Sequence, residues 1–182
     1  MLTTLTRLKG VMQLPPEDTS MDETLLLLAA AASQAIENHC KRSFRKKVYT
    51  ETLSGHDSLY LNLRNYPIHH IEEVRAETVL ADYKEIGDGR LYRANGWPIG
   101  EHNITVTYSG GYVLPSEATE AEPRTLPESI ELACLLYMQM IGRNPGVKSE
   151  RVGDISVTYG DDSQALPAPV AALLTPYVGR WV

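Results

Sequence analysis

The stretch NHCKRSFRKKVYTETL, residues 38–53, decides the fold. Up to Arg42 the apolar residues recur at helical spacing, and from about Arg45 they alternate. The chain therefore passes from helix into sheet at the basic segment CKRSFRKK, 40–47. Upstream, Ser20 and Glu23 have capping-box spacing, and Asp22 adds negative charge at the positive end of a helix running to about Lys41. Its middle, Leu25 to Ala32, is apolar nearly all round, so the helix is expected to be buried on more than one side. Its alanines would let a neighbouring helix come close, and some of that burial is expected to face another subunit. A shorter amphipathic helix, residues 2–12, precedes it, with Leu5, Leu8, Val11 and Met12 near one face. It ends at QLPPED, where Pro15 and Pro16 cannot continue a helix.

Downstream, the period of two persists from about Arg45 to Tyr108. KVYTETL and SLYLNL, joined by SGHD at 54–57, read as a β-hairpin. Pro67 suits a strand entrance. Further strands are expected near 79–86 and 90–94, joined through GDG at 87–89, and at 104–108. Residues 109–125 form a polar, acidic loop. The third main helix follows over LPESIELACLLYMQMIGR, with Ile130, Ala133, Cys134, Tyr137 and Ile141 as its apolar stripe. Pro127, Glu128 and Glu131 suit its first turn. After GRNPG comes a lone strand in which Ile155, Val157 and Tyr159 alternate with polar residues. A last short helix, LPAPVAALLTPY, precedes the tail VGRWV. The lone strand must find an edge, either in this chain's sheet or in a neighbour's. The fold class is α+β: a small helical bundle with a β-rich insertion between the second and third main helices and a short C-terminal strand and helix. It reads as a single domain, 1–182, with the insertion at about 45–108.

Bulk properties narrow the function. At 182 residues, 43% hydrophobic and 22% charged, the chain is an ordinary soluble domain able to bury a core without staples. A formal net charge of −6 argues against a protein that grips nucleic acid through its phosphates. The longest apolar run, LLLLAAAA at 25–32, is too short to span a bilayer, and its acidic flank is unlike a signal peptide. The expectation is synthesis in a cytoplasm and no membrane partner. Cys40 and Cys134 lie in apolar helical patterns and read as buried small hydrophobes.

No catalytic pattern emerges. His69 and His70 are adjacent in a strand and point to opposite faces, and no metal-ligand spacing occurs. SGGY, 109–112, could form an anion nest but reads better as a turn needing positive φ. Glu72 and Glu73 alternate faces, and Asp161 and Asp162 sit in a loop. CKRSFRKK, 40–47, gathers five of the 17 Lys and Arg. It reads as a solvated helix end or a patch for an acidic partner rather than a nucleic-acid footprint. No cofactor is implied.

The order of elements, with several local strings, resembles the head–tail connector (adaptor) family of tailed bacteriophages. The strings are LTRLKGVMQL followed by acidic residues, then DETLLLLAAAASQAIENHCKRSF with Ile36, Glu37, Cys40, Arg42 and Phe44. YPI at 66–68, VTYSGGY at 106–112 leading to LPESIELA, ERVGDISVTYG and LPAPVAALLTPY complete the set. The β region is longer than in the most compact, mainly helical adaptors.

The resemblance implies a structural virion protein and no enzyme. Copies of the chain would form a ring, a dodecamer, below the portal in the neck. The ring would extend the DNA channel and join the portal to a stopper or tail-completion protein. DNA would pass without sequence-specific binding. It further implies portal docking through LLTPYVGRWV, where Tyr177, Arg180, Trp181 and Val182 are the candidate anchors, since aromatics and Arg dominate interface energy. Candidate subunit-interface residues are Leu26, Ala29 and Ala30 on the second helix and Ile155, Val157 and Tyr159 on the lone strand. The competing readings are a small hydrolase or ligand-binding domain built on the β-insertion and, more weakly, a DNA-packaging or repair factor using the 40–47 cluster.

Overall fold

The computed structural model describes residues 1–143, 149–152, 155–158 and 166–179, with backbone alone for 142–143 and for the two strands within 149–158. The chain divides into two compact units. One comprises Met1–Cys40 and Leu126–Val178; the other comprises Lys41–Thr125 and Gly179–Val182.

The first unit is helical. Helix α1 spans Leu5–Val11, α2 Asp22–Cys40, α3 Glu128–Arg143 and α4 Ala168–Leu174, continued by a 3-10 turn at Thr175–Tyr177. α1 opens under a cap: the Thr4 hydroxyl accepts from the N–H of Arg7. The capping box expected at the start of α2 does not form. The Ser20 hydroxyl donates instead to Asp18 Oδ1 at 2.6 Å, and the helix begins at Asp22. α2 packs on α3 through Leu25, Ala29, Ala32, Ile36 and Cys40 on one side and Ile130, Ala133 and Cys134 on the other, nearly all without exposed surface. Small residues on both helices let the backbones approach.

The residues ahead of α1 are held down by polar contacts. Leu2 donates its N–H to Ser33 Oγ at 3.1 Å, and Ser33 donates to Ala29 O at 2.7 Å. Thr3 Oγ1 donates to Glu131 Oε1 at 3.1 Å. Glu131, expected only to complement the helix dipole, is buried and also takes an ion pair from Arg7 at 3.0 Å. Lys9, likewise buried, reaches Asp22 at 2.7 Å and Pro16 O at 3.0 Å.

The strand without a partner has one after all. Strand β7, Ser149–Val152, pairs antiparallel with β8, Ile155–Thr158, from Ser149–Thr158 through Val152–Ile155. The partner is the segment directly before it, SERV, whose polar composition hid it. Tyr159 lies outside the described residues.

The second unit holds two antiparallel sheets. Strands β1 (Lys47–Gly55), β6 (Gly100–Gly110) and β3 (Ile68–Arg75) form one, in the order β1-β6-β3. Strands β2 (Tyr60–Asn62), β5 (Arg90–Tyr92) and β4 (Lys84–Glu85) form the other, in the order β2-β5-β4. The hairpin expected between 47–53 and 58–63 is therefore absent. β1 pairs with β6, Lys47 opposite Gly110 through Leu53 opposite Ile104, and β2 pairs with β5. The strand expected over 79–86 is reduced to Lys84–Glu85, with Val79 in an isolated bridge to Arg75. β6 is central and alternates cleanly. Ile104, Val106 and Tyr108 are fully buried, in a core with Tyr49, Leu63, Val74, Leu91 and Trp97. Thr105, Thr107 and Ser109 take the other face, where Thr107 meets Thr50 at 3.3 Å.

Candidate assembly surface

The two faces of α2 decide what this chain presents outward. Residues 25, 29, 32, 33, 36 and 40 form the buried stripe. On the far side of the helix, Leu26, Leu27, Ala30 and Ala31 are exposed, and Leu27 is 71% exposed. Within this chain α2 is thus buried on one side, not on more than one. Covering such an apolar stripe is favourable, by up to about 1.5–3 kcal/mol for a fully exposed leucine and by a part of that here. On α3, Leu132 and Met140, two turns apart on one face, are each 47% exposed.

Of the residues singled out in the sequence, Leu26 and Ala30 lie on the exposed stripe, whereas Ala29 has no accessible surface and packs its own unit. Leu27 and Ala31 complete the stripe. Their signal was present in the helical spacing, one residue beyond the candidates chosen. Ile155 and Val157 are in β8, of whose side chains nothing is described. Tyr177 ends the 3-10 turn, half buried, its hydroxyl 2.9 Å from that of Ser129 in the first turn of α3. Arg180, Trp181 and Val182 lie outside the described residues.

Three of the five cations of the basic cluster turn inward or pair with the chain's own acids, while Lys41 and Lys47 are exposed. Arg42 is buried, its guanidinium 3.4 Å from the Tyr66 ring centre and 5.1 Å from that of Phe44, and donates to Tyr66 O. Arg45 pairs with Glu117 at 2.9 Å, and Lys46 pairs with Glu122. The acidic partner weighed for this patch is thus the loop after β6. The same loop removes the anion nest. Gly111 has φ +96°, as the turn reading expects, but its N–H donates to Pro67 O and that of Tyr112 to Phe44 O. A side chain at Gly111 would meet Arg45 O at 2.5 Å, so glycine is required there.

Several polar groups inside the second unit have structural partners, although Arg42 Nε and Nη1 and Trp97 Nε1 are buried without a hydrogen bond. Glu51 accepts from the N–H of Arg64 at 3.1 and 3.2 Å, from Asn65 Nδ2 at 3.1 Å, and from the hydroxyl of Tyr108. Tyr108 in turn accepts the N–H of Asn65 at 2.9 Å. Burial first, then the neighbouring Glu51 carboxylate, pushes the Tyr108 phenol far above its ordinary range. Burial likewise pushes the Cys134 thiol up to about 11, against a small opposing effect of Ser33. Glu73 pairs with Arg75 across 2.8 Å. His69 Nε2 lies 2.8 Å from Gly111 O. Among the described residues no three His, Cys, Asp or Glu side chains converge to hold a metal, and no helix is long and apolar enough to cross a membrane.

A chain that gathers no catalytic or metal-binding cluster among its described residues and turns an apolar helix stripe outward has the features of an assembly protein. A family model described as "HCP: Head completion protein" matches residues 1–178, and the chain belongs to that family. It is a structural head–tail connector protein. Solved structures share the fold. One is the virion of a native gene transfer agent particle, 16% identical with a TM-score of 0.64. A second is the neck of the empty particle with C6 symmetry, 17% identical with a TM-score of 0.64. A third is the neck of the native particle with C12 symmetry, 16% identical with a TM-score of 0.59. Each likeness covers 100% of this chain and 91% of the other. No curated protein matches.

Proposed function

We propose that copies of this chain close into a ring in the neck, in which the exposed stripe of α2 packs on the next copy. The observation that carries this reading is the stripe itself: Leu26, Leu27, Ala30 and Ala31 face water on the helix whose other face already holds the core. A heterologous contact between identical subunits covers such a stripe on every copy once the rotation closes. The C6 and C12 symmetries of the gene transfer agent necks of like fold support a ring, and twelve copies is the size proposed here.

In this reading the whole chain, 1–182, acts as one adaptor domain with its insertion at about 45–108. The ring extends the portal channel, meets a stopper or tail-completion protein on its other side, and lets DNA pass without reading its sequence. The segment after α4 docks on the portal, with Tyr177, Arg180, Trp181 and Val182 as anchors. The function is mechanical, and the chain is not an enzyme.

Size-exclusion chromatography with light scattering, on the chain alone and mixed with its portal, tests the reading. A ring-sized species in either sample is expected, and Leu27→Asp should abolish it while leaving the circular dichroism spectrum and thermal midpoint unchanged. A chain that stays monomeric with and without portal refutes the ring, and a ring that tolerates Leu27→Asp refutes the α2 interface.

A further inference from the structure

We propose that a depression at the end of the β1–β6 pair in the second unit binds a phosphate group. The pairing of β1 with β6 runs regularly to Leu53–Ile104 and then jumps to Gly55–Gly100, a bulge that turns the strand ends outward. His102 lies inside the bulge with φ +51°, and Asp57, two residues beyond Gly55, has φ +56°. Left-handed backbone at residues other than glycine is uncommon and gathers at functional sites. The depression formed there measures about 340 Å³, room for a phosphate with part of what it is attached to.

Its wall is rich in donors. Arg64 brings a guanidinium, His56 and His102 bring ring nitrogens, and Thr52, Ser54 and Tyr60 bring hydroxyls. Ser54 Oγ already accepts the N–H of His102 at 3.0 Å, which leaves its hydroxyl hydrogen to donate. Among the described residues lining the depression there is no carboxylate. Glu51, next to Thr52 on β1, is occupied by the Arg64 N–H, Asn65 and Tyr108, while Asp57 and Glu101, next to His56 and His102, are not among the lining residues.

Arg7, Arg45, Arg75 and Arg93 each pair with a carboxylate of this chain, at 2.8–3.0 Å. Arg64, like Arg42 and Arg90, is not neutralised by a carboxylate among the described residues, and of these three it alone lines the depression. On a chain of net charge −6, a concave spot with an unpaired Arg, two histidines and three hydroxyls is suited to a tetrahedral oxyanion. A phosphate can use several donors at once, whereas a carboxylate presents only two oxygens. The group can come from free phosphate or from the phosphodiester of a nucleic acid, and the assignment stands apart from the ring reading.

Calorimetry of the full chain with inorganic phosphate, and anisotropy of a short labelled DNA duplex, test the site. Saturable binding of phosphate is expected. Arg64→Gln should weaken it by about tenfold or more, as loss of one charge-assisted hydrogen bond would, and His56→Gln should weaken it less. Both side chains are exposed, so either variant carries the test if the other fails to fold. Duplex binding that phosphate displaces assigns the group to a nucleic acid, and binding of inorganic phosphate alone assigns it to the free ion. Neither probe binding, binding unchanged in both variants, or acetate binding as tightly as phosphate would overturn the proposal.

Discussion

Glu51 and Tyr108 fix the turn at Arg64 and Asn65 onto the main sheet of the second unit. The Tyr108 hydroxyl is both donor to Glu51 and acceptor from the N–H of Asn65. Tyr108→Phe therefore strands a buried N–H and removes one donor from a carboxylate. It should destabilise the chain by about 1–3 kcal/mol, read as a lower urea midpoint with an unchanged slope.

Cys134 gives a pH signature of its own. Its folded thiol ionises only at about 11, against an ordinary 9.0, so the unfolded chain loses that proton first. The stability it carries is whole below pH 9 and is lost as the pH climbs through about 11, a total of about 2–3 kcal/mol. Tyr108 acts in the same direction at higher pH. Urea midpoints measured across that range should fall, and Cys134→Ala should remove the part that begins near 9. Neither contact is legible in the sequence. Glu51 and Tyr108 are 57 residues apart, and only the folded register brings them together.

At the scale of the element, α2 makes two residues two positions apart behave oppositely. Ala29 has no room for more carbon, so Ala29→Leu should destabilise by about 1–3 kcal/mol through overpacking. Leu27→Asp should change the thermal midpoint of the chain little, since its side chain meets solvent. Comparing the two midpoints checks that the buried and exposed stripes have been assigned to the right faces.

Helices were the legible part because their signal is local. The period of Ile130, Ala133 and Cys134, and the apolar run of α2, need nothing from elsewhere in the chain. Strand existence was mostly legible too, but partnership was not. SGHD looks like a hairpin turn, yet β1 is matched to a strand some fifty residues on by Tyr49 stacking on Tyr108 at 5.8 Å and by the buried row of β6. A turn motif fixes where a chain bends and not which strand it meets afterwards. The β7 strand was missed for the converse reason: SERV has no apolar alternation, and its assignment comes from pairing alone. The depression beside His102 was illegible because residues 54, 64 and 102, distant in sequence, line it together only in the folded chain.

For the whole molecule, apolar helix faces and a net charge of −6 act against each other during assembly. Covering the α2 stripe favours the ring, and like charge on every copy opposes it. Screening removes the second term and leaves the first. Raising salt from about 0.05 M to about 0.5 M, which shortens the range of charge repulsion severalfold, should therefore promote assembly. Light scattering across that range checks it, and a ring that dissolves with salt would place ion pairs rather than the stripe at the interface.

Arg45 and Lys46 carry a further consequence through their partners Glu117 and Glu122. A polyanion sliding over these two cations finds a carboxylate already seated on each. To adhere it must evict that carboxylate, so every contact formed is matched by one broken and the exchange lies close to neutral. The surface has, in effect, its own non-stick coating: positive residues that help hold the loop after β6 in place and, on the channel reading proposed above, would offer DNA no foothold.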